Sequence, residues 1–365
     1  MNYLKLLLGT AAGVALATTA SAQTVGIGST KAGAVAQITA TISKAVSEHG
    51  GLQMRTQTMG GTQQYIPVVN AGELEFGISN ITQFHFARTG TGLSKGTPYE
   101  NLQLVATMMK FTVSPVVALK SGITTTAQLK GTRMAVGFKG APLLANLHEG
   151  ALATADLVSP KDIKPVPQVG LVQHWRAFMA GKIDWVIAAA GSGFVKQMNA
   201  KIDGGIRHIS FPNTPEALAK MHKFFPKTTW EVIPPHKDLT GVVEPTNFVS
   251  YDYMLWTHKA LSNEMVYKVT KVMHTQEKQL KEGGPLWRSY QANERLAKPQ
   301  GHPYHPGAMK YYKEAGIWPA GYGSTARYRR ALFRHGGREF QDGTGRAKPG
   351  CCDEGRGVRQ RTGAR

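Results

Sequence analysis

Cysteine is almost absent from this chain of 365 residues: the only two, Cys351 and Cys352, stand side by side near the C-terminus. A body without cysteine excludes a disulfide scaffold, so stability must come from packed cores. The adjacent pair has no nearby partners and makes a poor metal site. Acidic residues are scarce as well, 23 Asp and Glu against 43 Lys and Arg, for a formal charge of +20. That balance favours an anionic ligand without proving one. Long apolar runs are missing beyond the first residues, so no later stretch reads as a membrane span.

What is there begins with an export pattern. Lys5 precedes an apolar run from Leu6 to Ala17, and Ala20-Ser21-Ala22 closes it. The run is too short for a hydrocarbon core of ~30 Å. Residues 1–22 therefore read as a cleaved signal peptide rather than a membrane anchor, and a soluble periplasmic protein is expected. At the other end, residues 319–365 hold eleven Lys/Arg against four Asp/Glu, much glycine and few aliphatic residues. Such a segment buries too little apolar surface to offset chain entropy and reads as a disordered basic tail. On an exported protein a nucleic-acid arm is disfavoured, and no nucleic-acid partner is expected.

From Thr24 onward short apolar runs alternate with helical patterns. Residues 24–28 (TVGIG) read as a strand, and Ala34 to Val46 as a helix with Ile38, Ile42 and Val46 on one face. A strand at 52–58, a helix carrying Tyr65, Ile66 and Val69, and a strand at 76–78 complete a β-α-β-α-β order. That order predicts an α/β domain with a largely parallel sheet, whose ligands sit outside the carboxyl ends of the strands. The pattern recurs between about 122 and 245, with strands at 133–138 and 183–189 and helices near 143–147 and 172–180. A strand at 251–261 and one long helix capped near Ser262 or Asn263 then return to the first domain. Residues 113–120 lead out and 248–257 lead back. Two α/β domains joined by such a two-segment hinge can close on a small molecule.

Glycine-rich loops sit at the strand ends. Gly28 and Gly33 have P-loop spacing, but Ala34-Val35 stands where Lys-Ser/Thr is needed. The dinucleotide fingerprint fails too, because Lys31 occupies its third glycine position. The loop is then either an anion site at a helix N-terminus, with Ser29 and Thr30 supplying hydroxyls, or a plain tight turn. Gly60, Gly61, Thr62 and Gln63 repeat the chemistry, and Ser79-Asn80 adds neutral polar groups. No catalytic set or cofactor motif emerges. His148-Glu149 lacks the second histidine of a zinc helix, and His302 with His305 has no further ligand pattern. All three histidines are expected at the surface. Residues 191–194 do not match a serine nucleophile elbow. No metal, cofactor or catalytic residue is expected.

Taken together, TVGIGSTKAG, TMGGT, NAGELEFGISN, LKGTRMAVG, GKIDWVIAAAG and HPGAMKYYKEAGI, spread over residues 24–318, resemble the TAXI subfamily of substrate-binding proteins of tripartite ATP-independent periplasmic (TRAP) transporters. The resemblance implies a two-lobed type II periplasmic-binding-protein fold, a Venus flytrap. Residues 23–120 plus 246–318 would form lobe I and 121–245 lobe II. It implies a monomer that captures a small organic anion, a carboxylate or amino-acid-like solute, and delivers it to TRAP membrane permease subunits. The ligand loops carried over are Ser29, Thr30, Lys31 and Gly33; Gly60, Gly61, Thr62 and Gln63; Ser79 and Asn80; Lys139, Gly140 and Ala141; and Gly191 with Ser192. Family members often place G-S-G-T-R in the second lobe, where this chain has Gly137-Phe138-Lys139-Gly140-Ala141-Pro142. Lys139 offers a charge there without arginine's two-donor fork, and Phe138 and Pro142 are expected to make the cleft less polar. Alternatives of other classes are a ligand sensor for a receptor kinase and an exported enzyme on the same fold.

Overall fold

The computed structural model describes residues 23–31 and 33–320. The expected signal peptide, Ala32, both cysteines and all of the basic tail after Ala320 lie outside the described residues.

The first half follows the expected order: β1 (Gln23–Thr30), α1 (Ala34–His49), β2 (Leu52–Met59), α2 (Thr62–Ala71) and β3 (Phe76–Asn80). β1 pairs in parallel with β2 from Gln23↔Leu52 to Thr30↔Met59, and also with β3. The apolar stripe of α1 buries Ile38, Ile42 and Val46, and α2 buries Tyr65, Ile66 and Val69. Close packing of α2 on β1 depends on Gly28, where a Cβ would meet the Tyr65 ring at 2.6 Å. Next come α3 (Ile81–Thr89), which continues directly from β3, and β4 (Leu102–Ala118).

The second half comprises β5 (Arg133–Gly137), α4 (Pro142–Ala153), β6 (Lys164–Gln168), α5 (Leu171–Met179), β7 (Trp185–Ala189), α6 (Gly193–Lys201), β8 (Ile206–His208), α7 (Pro215–His222) and β9 (Thr229–Ile233). It has its own apolar cluster, built on Phe138, Phe178, Ile183, Val186, Val195 and Met198, with Val116 contributed by β4. β10 (Thr246–His258) runs back to the first half, followed by α8 (Asn263–Thr275), α9 (Glu277–Glu282), α10 (Ala292–Arg295) and α11 (Pro306–Glu314). Asp252 ties β10 to this last segment, with carboxylate contacts to Arg295, to Lys298 at 2.7 Å and to Gln300 at 2.7 Å. Burial alone would raise that carboxyl, but Lys298 and Arg295 outweigh it and hold it below the ordinary range.

Several expectations need correction. The architecture is α/β, but the sheet is mixed rather than largely parallel. Its order is β2-β1-β3-β10-β4-β7, and β10 pairs antiparallel with both β3 and β4. A strand returning from the second half must enter the first sheet in the opposite direction. The outward segment starts well before residue 113, because β4 is 17 residues long. The single long helix after Ser262 breaks at Gln276, where Glu277 accepts a hydrogen bond from the Ala292 N–H at 2.9 Å.

His148, His302 and His305 are buried, not exposed. His148 lies on the inner face of α4, its Nδ1 2.8 Å from the Leu144 carbonyl oxygen. Its ring packs on Phe138, His174 and Trp185 with centroids 5.1, 5.2 and 5.0 Å away. Phe138 is fully buried in this cluster, so it does not line a cleft as expected.

Burial pushes the His148 imidazole down to about 4. The unfolded chain, titrating near 6.5, binds more protons below that pH than the folded chain does. The stability held by neutral His148 is therefore complete above about pH 6.5 and is lost as pH falls toward about 4. The slope is about 1.4 kcal/mol per pH unit. Thermal melts should drop by several degrees between pH 7 and pH 5, and His148→Phe should flatten that dependence; an unchanged slope in the variant would contradict this assignment.

Candidate functional site

The register of the two long strands shows where strand ends converge. β4 and β10 pair through Val113↔Val249 and Tyr251↔Phe111. Ala189, the last residue of β7, pairs with Val113, and Asn80, the last residue of β3, pairs with Tyr253. Strand ends from both halves thus meet the middle of the β4–β10 pair. Ser29 and Thr30 lie beside Thr58 and Met59 at the same end of the first sheet.

Helix capping divides the longer helices into two groups. Among described helices of eight residues or more, α3, α6, α7, α8 and α11 have side-chain caps from Asn80, Ser192, Thr214, Ser262 and His305. The remaining four, α1, α2, α4 and α5, start at Gly33, Gly61, Ala141 and Gly170 without a side-chain cap. None of these four has an acidic residue in its first turn. First-turn N–H groups have no partner within a helix, and the aligned peptides place about half a positive charge there.

These helix starts approach one another across the two halves. A Cβ on Gly61 would lie 3.7 Å from the Gly140 carbonyl oxygen, and one on Gly33 would lie 4.0 Å from Leu171. The second-half loops are tied together by bonds from the Phe138 N–H to the Gln168 carbonyl (2.8 Å) and from the Gly140 N–H to the Val169 carbonyl (2.9 Å). Gly33 at φ 87° supplies a conformation that side chains disfavour, and Phe138 accepts φ 35° to turn its ring inward. Lys31 and Lys139 are exposed on these loops, and residues 29–33, 59–63, 138–142 and 168–172 contain no Asp or Glu.

The expected ligand residues divide accordingly. Gly33, Gly61 and Gly140 are brought together. Several side chains are engaged within the fold: Ser29 Oγ with Thr39 Oγ1 at 2.7 Å, Ser79 Oγ accepting from Trp256 Nε1 at 3.1 Å, and Asn80 Oδ1 accepting from the Gln83 N–H at 2.9 Å. The Gly60 N–H is held by Gln64 at 2.7 Å, and Thr62 Oγ1 accepts from Tyr65 at 3.3 Å. Gln63 Nε2 is buried without a partner. Thr30 and Ala141 are half-buried beside the converging loops. Gly191 instead faces Asp238 and Leu239, and Ser192 caps α6, so this pair is not placed at the Gly61–Gly140 contact.

Sequence reading missed an aromatic floor. Phe111 lies 5.7 Å from Tyr251 and 5.6 Å from Tyr253, between ring centroids. A register shift sets Met108 and Met109 of β4 opposite Tyr253 alone, so the bulge lies in β4 across from that tyrosine. The signal available was the alternation Tyr251-Asp252-Tyr253 in the returning strand. Among described residues, no group of three or more His, Cys, Asp or Glu lies within metal-binding reach. The geometry suits an anion held by backbone N–H groups.

Gly61→Asp separates this reading from a simple turn. Its backbone is extended, and Asp is a good N-cap that would occupy the helix end with its own carboxylate. Unliganded stability should hold or rise by a few tenths of a kcal/mol. Anion affinity, read by calorimetry, should fall at least tenfold; unchanged affinity would remove the α2 terminus from the site.

PhnD1 from Prochlorococcus marinus, solved in complex with methylphosphonate, is 12% identical, with a TM-score of 0.49 over 81% of this chain and 99% of that one. The periplasmic aliphatic sulphonate binding protein SsuA from Escherichia coli is 15% identical, with a TM-score of 0.43 over 87% of this chain and 88% of that one. A binding protein component of an ABC phosphonate transporter from Pseudomonas aeruginosa is 10% identical, with a TM-score of 0.49 over 86% and 96%. Residues 23–316, nearly the whole described chain, match a single protein family, and on that match the protein belongs to the NMT1-like family.

Proposed function

We propose that this protein is the periplasmic solute-binding subunit of a secondary transporter, capturing a small organic anion and passing it to a membrane permease. The observation that carries the reading is the convergence of four uncapped helix N-termini, two from each half. An anion bound between them completes hydrogen bonding that the chain leaves open on both sides. Binding energy gained on both halves at once favours a closed state over an open one.

In this reading β4 and β10 are the hinge, with residues 23–120 and 246–318 as one lobe and 121–245 as the other. The separate apolar cluster of the second half supports its movement as a body. The permease is of the TRAP type, in keeping with the sequence resemblance over residues 24–318. Loops 29–33, 60–63 and 139–141 hold the solute, while Ser79, Asn80 and Ser192 shape the loop ends through the bonds they already make. The role calls for no catalytic residue, cofactor or metal, and the subunit works as a monomer.

A panel of organic acids tested by calorimetry and small-angle scattering checks this. A member of the panel should bind with one-to-one stoichiometry and reduce the radius of gyration. Absence of any stabilising acid, or binding with no compaction, would contradict capture by closure.

A further inference from the structure

The helix ends account for the head of the solute; the aromatic floor bears on its body. Tyr251 and Tyr253 are 8% and 7% exposed, and neither phenol has a hydrogen bond to another described group. Neither phenol oxygen is among the fully buried polar atoms that lack a partner, so both reach solvent at the meeting point of the strand ends, where a ligand can supply the acceptor in place of water. Tyr253 pairs with Asn80 at the end of β3 and lies within electrostatic reach of Tyr65 in the first turns of α2. Burial pushes the Tyr253 phenol up to about 12 and raises Tyr251 as well, so both are donors at neutral pH. Phe225 covers the far side of Tyr251 at 5.3 Å.

The second-half loops that approach Gly33 and Gly61 carry apolar side chains. Val169 is 60% exposed next to the start of α5, and Leu171 reaches toward Gly33. The loops at 29–33, 59–63, 138–142 and 168–172 contain no arginine. The arginines Arg133, Arg207 and Arg295 are paired with Asp184, Glu244 and Asp252. A site for a doubly charged polar solute would be expected to offer a bidentate guanidinium at each end. Here there are helix ends and lysines for a head, and rings for the remainder.

Resting on the capture reading above, we propose that the solute is a planar aryl carboxylate bearing a hydroxyl on its ring. Its carboxylate lies at the helix ends, its ring against Phe111, Tyr251 and Tyr253, and its hydroxyl oxygen accepts from a tyrosine phenol. Offset or edge-on ring contacts at 4.5–7 Å, as already seen within the floor, accommodate such a ring.

Calorimetric titration with 4-hydroxybenzoate, benzoate, succinate and glutamate tests this on the intact protein and on Tyr253→Phe and Tyr251→Phe, with melting temperatures confirming that the variants fold. The proposal expects 4-hydroxybenzoate to bind more tightly than succinate or glutamate. It expects at least one Tyr→Phe change to weaken 4-hydroxybenzoate about five- to tenfold while leaving benzoate unaffected. Tighter binding of succinate or glutamate, or indifference of 4-hydroxybenzoate to both changes, overturns the aryl assignment and leaves anion capture standing. Failure of all four acids to bind overturns the aryl assignment; capture itself falls only if the wider acid panel fails too.

Discussion

The antiparallel pairing of β4 with β10 is the constraint on which the other arrangements depend. Both strands pass through the two halves, so their register determines which strand end meets which. The Val113↔Val249 and Tyr251↔Phe111 pairs bring the end of β7 and the end of β3 to neighbouring rungs of one ladder. Asp252, fixed by Lys298 and Arg295 on one side of β10, leaves the flanking tyrosines to pack with Phe111. Breaking this buried charge cluster would loosen the point where both halves meet, because an unpaired buried charge is strongly destabilising.

Capping shows how the chain reconciles stability with an open site. A side-chain cap contributes about 1 kcal/mol, and folded domains have only about 5–15 kcal/mol to spare. α3, α6, α7, α8 and α11 have such caps, while α1, α2, α4 and α5 begin without them. Glycine at three of those starts lets another backbone approach closely, as Gly61 and Gly140 do. In the proposed capture, a bound anion would restore the missing hydrogen bonds and neutralise the helix ends together, linking ligand affinity to the position of one half against the other.

Much of the scaffold was legible because periodicity reports burial directly. The stripe Ile38-Ile42-Val46 and the glycine loops at 33 and 60–61 lie where the pattern placed them. The fate of individual polar groups was harder to read. A hydroxyl beside a glycine looks available in sequence, yet Ser29, Ser79 and Ser192 bond to partners ten or 177 residues away or cap a helix. His148 was misjudged as exposed although it sits between Leu147 and Ala151, both buried on α4. The first part of β4 was overlooked although Leu104 to Met109 is an unbroken buried run, Thr107 included. Strand direction was hidden too, since β10 joins β3 through pairs far apart in the chain, from Tyr253↔Asn80 to Thr257↔Phe76. Its antiparallel sense follows from topology rather than composition.

The central claim is that an anion binds between helix ends contributed by both halves. The most direct measurement is a crystal structure of the protein with a bound acid. The account predicts the anionic head within hydrogen-bond distance of first-turn N–H groups from α1 or α2 and also from α4 or α5, with the two halves drawn together. A head held by one half alone, or lodged away from these four helix ends, would contradict it.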